Sequence, residues 1–141
     1  MVTSVLLPTQ HPNRAGSMAV ITKQKQLTNY ITKDNSSICE LMHPLQHNNS
    51  KQSLAQAIVK PGMETQLHYH ALTEELYHIQ QGHGLVTIDE ETFSVESGDT
   101  LCIPPNSRHK IKNSGQTDLV FLCCCSPAYS HADTFIVSDS K

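Results

Sequence analysis

Apolar residues in this chain fall in short runs that alternate with polar positions and do not recur at helical spacing. The runs are Ser53 to Lys60, Gln66 to His70, Glu75 to Gln80, Gly84 to Asp89, Thr92 to Glu96, Thr100 to Ile103, Arg108 to Lys112 and Leu119 to Cys125. Clusters of Gly, Pro, Asn, Asp or Ser separate them, which is the signature of strands joined by turns. At most one turn, over Leu72 to Leu76, is expected to be helical. The pattern predicts an all-β sandwich or barrel. Residues 1–26 are polar, carry Pro8, Pro12 and Gly16 and lack periodicity, so an extended or disordered N-terminal arm is expected before a single domain over 27–141. Pro127 is expected to end the last core strand.

Two spaced motifs lie inside this pattern. The first is Gly62, five residues, His68, one residue, His70, four residues, Glu75, six residues, Gly82. The second is Gly98, five residues, Pro104, one residue, Asn106, two residues, His109, three residues, Asn113. Together they resemble the motifs of the cupin family. The resemblance runs from Ile31 onward, with Ile38 to Leu41 and then Ser53 to Lys60 as first strands; it covers roughly three quarters of the chain and implies the double-stranded β-helix, or jelly-roll barrel. It also implies that His68, His70, Glu75 and His109 ligate one divalent metal ion, Fe, Mn, Ni or Zn. Where the family pattern has a glycine this sequence has Asn106, one of the few other residues that tolerate the left-handed region.

The spacing also makes chemical sense without the resemblance. Residues two apart on a strand share a face, roughly 6.5–7 Å apart, so His68 and His70 can aim at one point. Glu75 follows the polar connection from Ala71 to Glu74 and opens the next run, so a neighbouring antiparallel strand can carry its carboxylate there; His109 arrives from a second hairpin. Imidazoles and a carboxylate suit borderline divalent metals, and no thiolate occupies these four positions, which argues against a closed structural zinc site. If Glu75 faces inward, alternation places Tyr77 and Ile79 with it and turns Leu76 and His78 outward; an inward His109 takes Ile111 with it and leaves Arg108, Lys110 and Lys112 outside. Tyr77 is therefore the candidate catalytic hydrogen-bond donor beside the metal, with simple packing as the alternative. Gln66, two residues before His68, is the candidate for the substrate pocket.

Composition narrows the partners. A chain of 141 residues with 38% hydrophobic content can bury one sizeable core. Its net charge is −3 and its Lys and Arg residues are dispersed, so neither nucleic acid nor an anionic membrane is expected as a partner. The longest apolar stretch falls far short of the ~20 residues of a membrane span, and Met1 to Leu7 lacks the features of a signal peptide, so a cytoplasmic location is expected. The five cysteines include Cys123, Cys124 and Cys125 in succession. Strand neighbours point to opposite faces and cannot pair, so reduced thiols are expected, acting as small buried hydrophobes; a redox or second metal site is the alternative.

Fold alone does not decide function. The first reading is a small-molecule metalloenzyme of dioxygenase or lyase type. Sugar-phosphate isomerisation ranks lower, because no Arg or Lys is expected inside to hold a phosphate. The second reading is a metal-dependent protein that binds or senses a small ligand without turning it over, and the third is a barrel with a relic site. The family resemblance further implies a homodimer, formed through an N-terminal strand or the outward Leu76 and His78.

Overall fold

The computed structural model describes residues 19–138. The strands are β1 (Asn29–Ile31), β2 (Ser37–Met42), β3 (Ser53–Val59), β4 (His68–His70), β5 (Glu74–Gln81), β6 (His83–Ile88), β7 (Glu91–Glu96), β8 (Thr100–Ile103), β9 (His109–Asn113), β10 (Leu119–Ser126) and β11 (Thr134–Ile136). They form two antiparallel sheets, one ordered β1-β2-β3-β10-β5-β8 and the other β11-β4-β9-β6-β7. This is the all-β jelly roll expected from the alternation and the two motifs. The inner faces share one core, with Ile79, Ile103, Leu119 and Phe121 from the first sheet against Val86, Val95 and Ile111 from the second. Alternation holds on β5, where Glu75, Tyr77 and Ile79 are buried between exposed Leu76 and His78.

Several elements differ from the periodic pattern. β4 begins at His68 and not at Gln66, because the chain before it bonds elsewhere: Thr65 N donates to Ile111 O and Gln66 N to Asp34 O. The turn expected over Leu72 to Leu76 is absent, since the Asp133 carboxylate takes the N–H groups of Ala71, Leu72 and Thr73 and β5 starts at Glu74. One short helix, α1 (Pro44–His47), forms where none was expected. Its Pro sits in the first turn, the His43 ring accepts from Leu45 N, and Asn48 closes it in the left-handed region. β10 ends at Ser126, as Pro127 requires, but the chain then returns and adds β11 to the edge of β4.

Residues 1–18 of the expected arm lie outside the described residues. Over residues 19–26 the chain is largely exposed and holds one 3₁₀ turn, Gln24–Gln26. Thr22 Oγ1 donates to Leu41 O at 2.6 Å and Gln24 Nε2 to Gln56 Oε1 at 2.8 Å, so this segment lies along the first sheet. Among the described residues no helix is long and apolar enough to cross a membrane.

The corner between β5 and β6 depends on Gly82. Its φ is +91°, and a Cβ there would stand 2.8 Å from Asp118 O. Gly98 has a similar φ of +97° but open space around it. Gly82→Ala is expected to cost about 2 kcal/mol or more in urea unfolding, and Gly98→Ala less, because only the first adds a clash to the backbone strain. Equal costs at both positions would show that the Asp118 carbonyl adds nothing.

Candidate metal centre

Two sheets contribute to one buried cluster. His68 and His70 lie on β4, His109 stands opposite His68 on β9, and Glu75 comes from β5 across the sandwich. Glu75 is thus not on a strand neighbouring β4, as its position in sequence suggested; the Ala71–Thr73 connection carries the chain from one sheet to the other. One potential ligand atom from each of the four residues lies within 4.8 Å of every other, and all four residues are buried. Glu75 Oε1 is 3.5 Å from His70 Nε2 and 3.4 Å from His109 Nε2.

Each ring is oriented from behind. His68 Nδ1 meets Gln66 O at 2.7 Å and His109 Nδ1 meets Ser107 O at 2.9 Å. A carbonyl can only accept, so both rings carry their proton on Nδ1 and present the Nε2 lone pair to the centre. His70 Nδ1 lies 3.2 Å from Thr134 Oγ1, whose own proton goes to Ser130 O at 2.8 Å, so Thr134 accepts and the third ring takes the same tautomer. On the carboxylate, Cys125 Sγ donates to Oε2 at 3.1 Å. That leaves Glu75 Oε1 and His109 Nε2 buried without a hydrogen-bond partner. Buried polar atoms are rarely left so. Three imidazole lone pairs and one carboxylate oxygen, each braced by an outer hydrogen bond, fit a borderline divalent ion.

The electrostatics couple these groups to one another. Burial opposes ionisation of Glu75, yet the imidazoles of His109 and His70 beside it hold its carboxyl well below the usual range. Burial, with the neighbouring His109, pushes His68 down and favours the neutral ring that a metal needs. Burial also works against a charged His70, but the Glu75 carboxylate more than offsets it and its pKa is raised.

Beside the cluster lies a cavity of about 40 Å³, room for a few molecules the size of water. Its floor consists of small side chains of the first sheet, Ser53, Ala55, Ala57, Cys123 and Cys125. Tyr77 lines it and is 4% exposed; its ring is 4.7 Å from that of Phe121 and 6.2 Å from that of His109. Its hydroxyl has no protein hydrogen-bond partner among the described residues. Burial and the Glu75 carboxylate push its pKa well above the ordinary tyrosine value, so it is a donor and not a base. Gln66, by contrast, is exposed and does not line the cavity. Alternation fails there because β4 starts two residues later, and only the Gln66 carbonyl reaches the site, through His68.

Residues that periodicity did not single out complete the surroundings. Asp34, in the turn between β1 and β2, places Oδ2 3.6 Å from His68 Nε2. Its Oδ1 accepts from Thr32 Oγ1, from Ser36 N at 3.1 Å and from Ser36 Oγ at 2.7 Å. The pattern Thr32-x-Asp34-x-Ser36 was the available signal, since such residues bond their own turn. Thr134, Tyr129 and Glu40 also line the cavity. The tail reaches the site through Thr134, while Asp133 holds the β4–β5 connection and His131 stays exposed beside Tyr129. All five cysteines are free. Cys123 and Cys125 face inward and Cys124 does not; burial and the nearby Glu75 push the two inner thiols up, so Cys125 is a donor to Glu75 as well as a core residue.

A family model described as the cupin domain matches residues 55–125. An uncharacterized protein of Methanocaldococcus jannaschii is 51% identical over 116 residues, covering 82% of this chain and 93% of that protein. The oxalate-binding protein of Thermotoga maritima is 31% identical over 83 residues, which span 59% of this chain and 64% of that protein. This chain therefore covers just under two thirds of that relative's length. Among solved structures, the polyketide cyclase RemF of Streptomyces resistomycificus superposes with a TM-score of 0.73 at 16% identity, over 88% of this chain and 89% of that one. Likeness at that identity is a likeness of fold.

Replacing His68, His70, Glu75 or His109 by alanine is expected to strip a divalent ion from the protein, and replacing His47, His83 or His131 is not; elemental analysis reads the difference. Loss at His131→Ala with retention at His109→Ala would overturn the assignment. As pH falls through the ordinary imidazole range near 6.5, protons compete for the lone pairs, His70 first because its pKa is raised. Metal retained unchanged at about pH 4.5, well below that range, would speak against three imidazole ligands.

Proposed function

The chain belongs to the cupin domain family, and on that premise we propose that it is a metalloenzyme acting on a small molecule, with His68, His70, Glu75 and His109 holding one divalent ion. The observation that carries this is the pair of unpartnered buried atoms, Glu75 Oε1 and His109 Nε2, beside a cavity that Tyr77 and Asp34 also line. Bound there, the ion would polarise a carbonyl or hydroxyl oxygen or, if redox active, serve dioxygen chemistry. The protein's own residues favour lyase-type chemistry. Asp34 has Oδ1 committed to Thr32 and Ser36, so its Oδ2, turned toward the cluster, is the atom placed to take a proton from a ligand. Tyr77 keeps its proton and supplies a hydrogen bond from the wall of the same cavity. Phe121, its ring 4.7 Å from that of Tyr77, gives the same cavity an apolar wall.

A dioxygenase is the second catalytic reading, supported by a donor set that suits iron and manganese as well as zinc and nickel. Ligand binding without turnover is supported by the name of the oxalate-binding relative. Isomerisation of a sugar phosphate has the least support, because no Lys or Arg lines the cavity and a phosphate needs a fixed cation. Elemental analysis of protein purified without added metal, followed by product and oxygen-uptake assays on small diketones, phenols, hydroxy compounds and carboxylates, separates these. Product without oxygen uptake is the expected result; uptake would select the dioxygenase, and a bound ligand that never changes would leave the binding reading.

For any substrate so found, Tyr77→Phe and Asp34→Asn are expected to keep the metal and the fold but lower turnover by roughly a hundredfold, the scale of one acid–base group. Phenylalanine keeps the ring and deletes only the hydroxyl, so no cavity term enters. Wild-type rates in Tyr77→Phe would reduce Tyr77 to a packing residue. We also propose a homodimer, supported by the exposed Leu76 on the outer face of β5 and by β1 at a sheet edge. Light scattering is expected to give twice the chain mass, and the mass of a single chain would refute it.

A further inference from the structure

Glu40 is 6% exposed, far from the four-residue cluster, and one of its carboxylate oxygens has no partner. It stands on a row that crosses the first sheet as Glu40 on β2, Ala55 on β3, Cys123 on β10 and Tyr77 on β5. With strands about 4.8 Å apart, the row sets Glu40 about 14 Å from Tyr77 along the sheet. The residues between them are small, and all four line the same cavity. The cavity thus runs over a floor of alanine and cysteine from the metal-side wall to a carboxylate at the other end.

Tyr30 donates to Glu40 Oε1 at 2.7 Å and fixes the side chain, which leaves Oε2 buried and bare. A buried carboxylate oxygen is costly without a donor. The lining provides no Lys or Arg to satisfy it. No hydroxyl or N–H of the described residues reaches Oε2 either, and Asp34 is a second carboxylate in the same space.

We infer that Glu40 is a ligand-binding subsite at the end of the cavity remote from the metal centre, one that accepts a hydrogen bond from a hydroxyl or ammonium group of the substrate. It rests on the reading that this cavity receives the substrate of the metal centre, and it deepens that reading by naming a class. The substrate is small, carries an oxygen to the metal side and a hydrogen-bond donor at the other end, and has no second carboxylate. A dicarboxylate would set its own negative charge against Glu40 and Asp34 with no cation between them.

Three probes separate the chemistry: glycerol offers hydroxyl donors, ethanolamine a hydroxyl and an ammonium, and oxalate only acceptors. NMR titration of the zinc-loaded and metal-free full-length protein with each, wild type against Glu40→Gln, reads the subsite directly. Glycerol and ethanolamine are expected to shift the Tyr30 and Glu40 signals, and ethanolamine moving them where glycerol does not would assign the subsite to ammonium. Glu40→Gln keeps an acceptor for Tyr30 but removes the charge, so affinity for the donor probe should fall tenfold or more while oxalate affinity is unchanged or rises. Equal changes for donor probes and oxalate, or no change, would overturn the subsite, as would donor probes that leave both signals unmoved in the wild type.

Ala55→Val leaves every carboxylate in place and narrows the floor between the two ends. It should weaken donor-probe binding by a similar factor, and unchanged affinity would overturn the proposal even if Glu40→Gln failed to fold. Zinc content is measured on the same samples. Wild-type protein that takes up no zinc would remove the metal-centre reading while the metal-free titrations still decide the subsite.

Discussion

Much of this structure answers to one constraint: four polar side chains converge between two sheets with no partner among themselves. Three Nε2 lone pairs and Glu75 Oε1 meet in a space from which water is largely excluded, and such a convergence is unfavourable unless each group is held and the centre is filled. The protein holds every group from outside. Two backbone carbonyls, of Gln66 and Ser107, and the Thr134 hydroxyl take the Nδ1 protons, and the Cys125 thiol takes the far oxygen of Glu75. Each of these partners comes from a different part of the chain. The loop before β4, the loop before β9, the returning β11 and the central β10 are therefore all tied to the same few cubic ångströms.

The same requirement accounts for features that secondary structure alone does not demand. β11 pairs with β4 along three residues and brings Thr134 opposite His70. Asp133, next to it, gathers the three N–H groups of the Ala71–Thr73 connection, which is the crossing that delivers Glu75 to the other sheet. Lys33 Nζ donates to Thr134 O at 2.8 Å and links the turn that carries Asp34 to this C-terminal strand. The cysteine run of β10 fits the same logic. Cys123 and Cys125 are small enough to leave a cavity above the sheet, and they stay protonated because they are buried beside a carboxylate.

The alternation of apolar residues and the two spaced motifs were enough to place eight strands, to sort Glu75, Tyr77 and His109 inward, and to bring His68, His70, Glu75 and His109 into one group. The grouping of the four follows the resemblance of the motifs to the cupin family; the other inferences rest on periodicity two, which any strand obeys whatever its neighbours. They failed at Gln66, where the strand had not yet begun and the backbone was already bonded to Asp34 and Ile111. They were silent on β1, β11 and α1, whose short segments carry too few alternations to read. They also placed Glu75 on a strand next to β4, although adjacency in sequence does not say which sheet a strand joins.

What the sequence by itself determined is the set of elements and the chemistry of the donors: imidazoles two apart on one strand, a carboxylate opening another, and small thiols in a core run. These follow from local geometry and side-chain type. Only the tertiary structure decided which groups surround the donors. Asp34 and Glu40 become part of the cavity because β1 and β2 extend the first sheet beyond β3 and their turn carries Asp34 to His68, and Thr134 joins because the chain returns after Pro127. Such contacts connect residues 64 to 101 positions apart in sequence, and their existence depends on sheet order and chain closure, which no local pattern encodes.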